Sequence, residues 1–270
     1  MREMTIEELK AVQVDITCAI HAFCESHGLR YFLHYGTLLG AVRHKGFIPW
    51  DEDIDLGMPR PDYDFFVHNF NGWNQDFEVF APELDMGYYA PYANVCDKRT
   101  FLKENNISHG RFEIGVKVDV FPMDGAPADD KEYAVLRSRL LKLNHDLYFK
   151  NVRLVPKFRK GFVPGMKALG IKASLAFRSV GSIQRRIREA STALSFEEAQ
   201  WCDQLTFPDE GTPRMKREVF ENYVDLEFEG HRFKAPRDNE LYLKAIFGDY
   251  MTLPPESERV PHHGFQAWWK

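Results

Sequence analysis

Four acids fall within five residues, Asp51, Glu52, Asp53 and Asp55, and their neighbours leave few ways to accommodate them. The run Ile54–Met58 reads as a short strand. In extended chain, alternate side chains share a face, so Asp51, Asp53 and Asp55 would project together. Three carboxylates aimed at one spot repel each other unless a cation stands between them. All-oxygen ligands suit a hard ion, Mg²⁺ or Mn²⁺ where phosphate is the substrate. A solvated acidic turn would carry the same residues, and this run alone does not choose between the two.

The preceding residues bear on that choice. Leu29–Tyr35 reads as a strand, followed by Gly36-Thr37 and the helix-forming Leu38–Val42. Strand, Gly-Thr, then helix places backbone N–H groups and a hydroxyl where a phosphate could dock. Gly36 permits close backbone approach, and Arg43, His44 and Lys45 add positive charge beside the acids. A third strand is expected over Glu113–Phe121. There Ile114, Val116, Val118 and Val120 fall on one face, and Glu113, Lys117 and Asp119 on the other. A buried lone carboxylate is costly, so Asp119 needs a partner. That partner is either a metal shared with the other acids or a cation such as Lys117. Glu113 and Lys117 are candidate site-lining residues on the same face.

Elsewhere, Thr5-Ile6-Glu7-Glu8 reads as a capping box opening a helix that Gly28 ends. Pro59 and Pro61 start another helix. Residues 71–112 suggest weak strands and loops, and Asp129–Lys150 a strong helix. Tyr223–Phe228 and His231–Phe233 suggest a hairpin, Asn239–Phe247 a short helix, and the tail a loop. The expected class is α+β, a mixed sheet flanked by helices. Its segments are an N-terminal helix (1–28), a catalytic core (29–128), a helical basic region (129–222) and a C-terminal hairpin, helix and tail (223–270).

Composition excludes several alternatives. With 44% hydrophobic and 28% charged residues the 270-residue chain is neither disordered nor fibrous. No apolar run approaches the ~18 residues of a membrane span, and the first residues are too polar for a signal peptide. The four cysteines form no C-x-x-C pattern. A cytoplasmic protein is expected. Eleven of the 35 Lys and Arg, and none of the 40 acids, fall between Asp146 and Glu189. Apolar residues interleave with these charges, so 150–188 could lie on an anionic membrane, bind an anionic acceptor or form a solvated helical subdomain. The acidic remainder and the lack of a reader motif argue against nucleic acid.

Gly-Thr-Leu-Leu-Gly-Ala-Val-Arg-His, followed by Pro-Trp-Asp-x-Asp-x-Asp, resembles the LicD family of phosphotransferases in the nucleotidyltransferase-fold superfamily. Fukutin-related proteins are distant members. The resemblance runs from about Leu29 to His263 and includes Phe247-Gly248-Asp249-Tyr250-Met251, Leu253-Pro254-Pro255 and His262-His263. It implies transfer of a phospho-alcohol from a cytidine diphosphate donor to a sugar hydroxyl. The donor is CDP-choline in bacterial members and CDP-ribitol in fukutin relatives. It also implies that Gly36-Thr37, Asp53, Asp55 and Asp119 carry the superfamily pattern, with the three aspartates catalytic. Asp51, Asp53, Asp55 and Asp119 would hold Mg²⁺ or Mn²⁺, and Asp119 would alternatively accept a proton. Gly36, Thr37, Arg43, His44 and Lys45 would bind phosphate or nucleotide, while Trp50, Tyr92, Glu113, Lys117, His262 and His263 are further substrate contacts. A quaternary ammonium would need an aromatic cage, for which Trp50, Tyr88, Tyr89, Tyr92, Phe121, Trp268 and Trp269 are available.

The cysteine-rich zinc insert of fukutin-related proteins has no counterpart here, which favours phosphocholine over ribitol phosphate. The expected acceptor is a glycan precursor of lipopolysaccharide, teichoic acid or capsule type, carried on lipid at the inner face of the membrane. The alternatives are transfer of ribitol or glycerol phosphate, addition of CMP or AMP to a small molecule, or a silent glycan- or membrane-binding protein.

Overall fold

The computed structural model describes residues 1–154, 161–209, 212–260 and 264–270. After a short strand β1 (Arg2–Glu3), α1 spans Ile6–His27. The capping box is present: the Glu8 N–H donates to Thr5 Oγ1 at 3.2 Å, and the Thr5 N–H donates to Glu8 Oε2 at 3.0 Å. Gly28 ends the helix at φ 66°, a conformation glycine adopts without a Cβ penalty. Leu9, Val12, Ile16, Ile20 and Phe23 form its buried stripe and pack it on the sheet.

Strand β2 is only Phe32–Leu33, shorter than Leu29–Tyr35, because Asp62 captures Arg30 before it and Tyr35 turns the chain at φ 40° after it. Helix α2 begins at once, Tyr35–His44, so Gly36 and Thr37 lie inside its first turn. Strand β3 is Asp55–Pro59, and α3 (Arg60–Asn69) starts with Pro61 in its first turn, where its missing N–H costs nothing. The region expected to hold weak strands and loops contains β4 (Phe77–Phe80), β5 (Ala93–Asp97) and β6 (Thr100–Glu104). Burial across all of β5 hides the period-two pattern that would mark it as a strand.

Strand β7 covers Lys117–Ala126 rather than Glu113–Phe121. It passes through Pro122, and its last residues leave β3 to pair with β8 (Trp201–Asp203), which pairs in turn with β9 (Met215–Lys216). The main sheet has the order β2-β3-β7-β5-β4, with β8 and β9 off this path. The β3–β7 pair is parallel and the others are antiparallel. Register places Asp55 opposite Asp119 and Asn94 opposite Asp119 on its other side. One row across three central strands therefore reads Asp55, Asp119, Asn94.

Helices α4 (Asp130–Asn151), α5 (Phe162–Ser174) and α6 (Val180–Ser191) follow. Leu140, Leu143 and Leu147 of α4 bury against Ile183 and Ile187 of α6. The helical stretch stops at Ser191; within the expected helical block 129–222, β8 and β9 return to the sheet. The hairpin is present as β10 (Tyr223–Phe228) and β11 (His231–Pro236), with Glu229 and Gly230 both at positive φ in its turn. Helix α7 is Asn239–Phe247. The tail is not a loop throughout: β12 (Phe265–Trp269) sits between β1 and β6. The chain is thus a mixed sheet flanked by seven α-helices among the described residues, an α+β fold as expected. None of these helices is long and apolar enough to cross a membrane.

Candidate active site

The acids gather where α2, β3 and β7 meet. The Asp55 N–H donates to Thr37 Oγ1 at 2.8 Å, and the His34 N–H donates to the Asp55 carbonyl at 3.0 Å, so the start of α2 is stitched to β3. Gly36 faces Asp51 so closely that a Cβ there would stand 2.7 Å from Asp51 Oδ2. Glycine is needed for that carboxylate to occupy its place. Asp119 accepts from Asn94 Nδ2 at 2.5 Å and from Lys117 Nζ at 2.7 and 3.0 Å. The ion pair with Lys117, one of the two partners open to Asp119 from the sequence, is therefore formed.

Crowding shows in the proton affinities. Asp53 is pushed up to about 7, by burial first and then by Asp51. Asp55 is held well above the ordinary carboxylate range by burial and by Asp53, Asp119 and Asp51. Burial raises Asp119 too, although Lys117 opposes the shift. Among the described residues no three acids or histidines already stand as a ready cation cage; Asp119 faces Lys117 instead. The donor set nevertheless fits a hard divalent ion: oxygen ligands only, with mutual repulsion that a dication would relieve.

Two clefts meet at these acids. The larger, about 1040 Å³, is lined by Tyr35, Gly36, Arg43, Trp50, Asp51, Asp53 and Asp55 on one side and by Asp249, Tyr250 and Leu253–Pro255 on the other. The C-terminal signature thus forms a wall of it. The second, about 390 Å³, is lined by Gln13, Asp53, Glu104, Lys117, Asp119 and Phe265 among others. Asp53 borders both.

The remaining expected residues separate. Arg43 reaches the large cleft and donates to the Tyr250 carbonyl at 3.0 Å and to His44 Nε2 at 2.9 Å. His44 sits edge-on to Trp50, over which Arg259 also lies. Thr37 is buried with its hydroxyl oxygen bonded to the Asp55 amide. Lys45 is exposed at the end of α2, its carbonyl accepting from the Glu229 N–H at 2.9 Å, and it does not line either cleft. Tyr92 lies beside a smaller hollow next to Lys117.

Glu113 does not line the site expected for it. It is exposed, paired with Lys270 at 2.6 Å and borders a different hollow, because it precedes β7 and the alternation drawn from Asp119 does not extend to it. Of the aromatic candidates, Tyr88 is fully buried, and Trp268 and Trp269 belong to β12. His262 and His263 lie outside the described residues.

Several residues escaped the sequence reading. Asn94 and Glu104 come from β5 and β6, whose bounds the sequence does not mark within the weak strands and loops of 71–112. Asp209 lines the large cleft from a distant loop. His34 looked like part of an apolar strand. It is buried, its Nε2 donates to Gln204 Oε1 at 2.6 Å, and Nδ1 accepts from the Tyr242 hydroxyl. Burial lowers it to about 4, so it is neutral behind the site. Its partners are 170 and 208 residues away, and no local signal announces them.

Residues 28–150 match the family described as LicD/FKTN/FKRP, nucleotidyltransferase domain. The chain is 29% identical to the lipopolysaccharide cholinephosphotransferase LicD of Haemophilus influenzae, over 99% of both chains. It is 59% identical over 34 residues, 13% of this chain and 7% of the relative, to the ribitol 5-phosphate transferase FKRP of Homo sapiens and of Mus musculus. An uncharacterised Rickettsia prowazekii protein is 45% identical over 82 residues, 29% of this chain and 27% of that protein. Residues 28–150, which span α2, β3 and β7 with their acids, thus match the nucleotidyltransferase domain of the LicD family.

Proposed function

We propose that this protein transfers phosphocholine from CDP-choline to a hydroxyl of a cell-surface glycan precursor of lipopolysaccharide, teichoic acid or capsule type, with Mg²⁺ or Mn²⁺ as cofactor. One observation carries the reading: Asp51 and Asp53 in the loop before β3, Asp55 on β3 and Asp119 on the parallel β7 gather where two clefts meet. The whole-length likeness to a cholinephosphotransferase supports the choice of donor.

Asp51, Asp53 and Asp55 would hold the cation. When bound, the cation neutralises the donor diphosphate and stabilises departing CMP. The large cleft accommodates the nucleotide, with the first turn of α2 at Gly36 and the Arg43 guanidinium toward phosphate. Thr37 acts from behind by fixing Asp55 through its amide. Asp119, raised above ordinary carboxylate affinity, either joins Asp55 at the cation or takes the acceptor proton. Cation affinity of Asp119→Asn separates these two roles, because only the first predicts a loss.

The basic region supports a peripheral membrane contact at the cytoplasmic face, suited to a lipid-linked acceptor. On α5, Phe162, Val163, Met166 and Leu169 are exposed, as is Phe177 just beyond it. Clustered exposed apolar side chains mark interaction surfaces, and Lys167 on α5 and Arg185 and Arg186 on α6 are exposed as well. Not every cation in the stretch is available: Lys150 and Lys172 donate to backbone carbonyls, while Arg178 pairs with Asp146 and Arg188 with Glu83.

The test is CMP release and mass gain of a glycan acceptor with CDP-choline, CDP-ribitol and CDP-glycerol, in Mg²⁺, Mn²⁺ or EDTA. Choline-specific, metal-dependent turnover that collapses in Asp55→Asn is the expected result. Turnover with only a polyol donor would replace phosphocholine by that group, and no turnover with any donor would favour a silent binding protein. Flotation with phosphatidylglycerol vesicles tests the membrane contact, which Phe162→Ser with Val163→Ser should weaken.

A further inference from the structure

Beside the acids lies a hollow of about 180 Å³, too small for a nucleotide when whole-ligand sites run to roughly 300–1,000 Å³. Tyr89, Tyr92, Tyr148 and Phe207 line it, together with Glu104 and Lys117. Glu104 and Lys117 also border the cleft that holds Asp53 and Asp119, so the hollow is a side chamber of the reaction centre. Its rings are braced from outside: Tyr92 packs on Phe121 at 4.3 Å and on Phe207 at 5.3 Å, and Tyr89 on His109 at 4.6 Å. Four aromatic residues from three parts of the chain around one small space are a costly arrangement for a solvent pocket.

Charge decides what such a space prefers. The Lys117 ammonium is already bonded to both Asp119 oxygens, leaving Glu104 as the acid of the hollow, with His109 Nε2 3.5 Å from it. Asn144 and Asn151, which also line the hollow, donate their amide N–H groups to backbone carbonyls of α4 and its neighbours. The walls therefore offer ring faces, one carboxylate and an amide acceptor, Asn144 Oδ1, which has no hydrogen-bond partner among the described residues. A polyol needs directed hydrogen bonds that ring faces do not supply. A quaternary ammonium, with no hydrogen to donate, is attracted to ring faces and to negative charge.

We propose that this chamber seats the trimethylammonium head of the donor, with Glu104 as its counter-charge and Tyr89, Tyr92, Tyr148 and Phe207 as its cage. The assignment rests on the CDP-choline reading above and deepens it. It makes these residues the selectors of the transferred alcohol, while nucleotide and phosphate are held in the large cleft.

The experiment is calorimetric titration of CDP-choline, CDP-glycerol and CDP in Mg²⁺, on wild type, Glu104→Gln, Tyr92→Leu and Phe207→Leu. Phe207 is 40% exposed, so its variant keeps the test alive if Tyr92→Leu fails to fold. The expected result is at least tenfold weaker CDP-choline binding in the variants, with CDP and CDP-glycerol changed less than threefold. Tetramethylammonium chloride should compete with CDP-choline in the wild type and not with CDP. Equal weakening of all three ligands, or unchanged CDP-choline binding, overturns the cage. Binding of CDP by the wild type with no preference for CDP-choline overturns it too and leaves the nucleotide cleft standing. Failure of the wild type to bind any of the three refutes the donor reading itself.

Discussion

Removing one negative charge from the acid cluster should stabilise the metal-free protein while weakening its hold on the cation. Asp53 is the position to change, since it borders both clefts. A carboxyl held at about 7 instead of about 4 carries a penalty of about 4 kcal/mol when ionised, at about 1.4 kcal/mol per pH unit. Although neighbouring atoms crowd it, Asp53 keeps access to solvent through the two clefts it borders, and screening reduces this to roughly 1–2 kcal/mol. The folded-state affinity for the proton is raised, so the associated stability is present at pH below about 4 and lost as pH climbs through about 7.

Asp53→Asn removes that loss. In EDTA at pH 8 the variant should melt about 2–8 °C above wild type, given ~2–4 °C per kcal/mol for a chain of this order of size. Near pH 4 the two should converge. Adding Mg²⁺ at pH 8 should raise the wild-type melting temperature and recover most of the difference, while the variant gains little. Differential scanning fluorimetry over this pH series reads all three effects. Identical melting of the two proteins in EDTA at pH 8, or an equal gain from Mg²⁺, would refute the crowded-carboxylate account.

Three other perturbations follow from the packing. Gly36→Ala places a methyl 2.7 Å from Asp51 Oδ2 and should weaken Mn²⁺ binding at least tenfold, measured by electron paramagnetic resonance, with little change in far-UV circular dichroism. His34 is lowered to about 4 by burial, so its contribution is complete above about 6.5 and declines as pH falls toward 4, by about 3 kcal/mol. Urea titrations of wild type and His34→Gln should accordingly diverge least at acid pH. Arg60 joins Asp124 at 2.7 Å and Glu83 at 3.3 Å, all three side chains nearly inaccessible. Arg60→Ala leaves those acids buried without their cation and should cost about 3–5 kcal/mol in urea unfolding; a cost below 1 kcal/mol would mean that the network relaxes to solvent.

Local signals carried the parts of the fold whose causes are local. The capping box and Gly28 delimit α1, Pro61 marks the start of α3, and Glu229-Gly230 turns the hairpin, each through backbone chemistry within a few residues. The acids at Asp51, Asp53, Asp55 and Asp119 could be named for the same reason, since spacing and flanking apolar residues are properties of a short window. Where a boundary depends on a distant partner the reading failed. Strand β12 exists because β1 and β6 flank it, and β5 is buried throughout, so neither shows alternation. Glu113 was placed on the Asp119 face by extending a period of two past the point where the strand begins.

Local sequence therefore carries the likeness to the LicD family, the mixed α+β class and the acids of the candidate site. Tertiary structure alone decided what surrounds those acids. Asp55 meets Asp119 only through the parallel register of β3 and β7, and Asn94 joins them only because β5 pairs on the other side. The Glu229 carboxylate accepts from the Phe47 N–H at 3.0 Å, so a hairpin far along the chain clamps the loop that leads to the acids. Glu104 and Phe207 reach Tyr92 from separate segments to complete a chamber that no window of sequence contains. Register and long-range packing are collective: they arise from burying the whole sheet at once, and no residue encodes its partner across 100 positions.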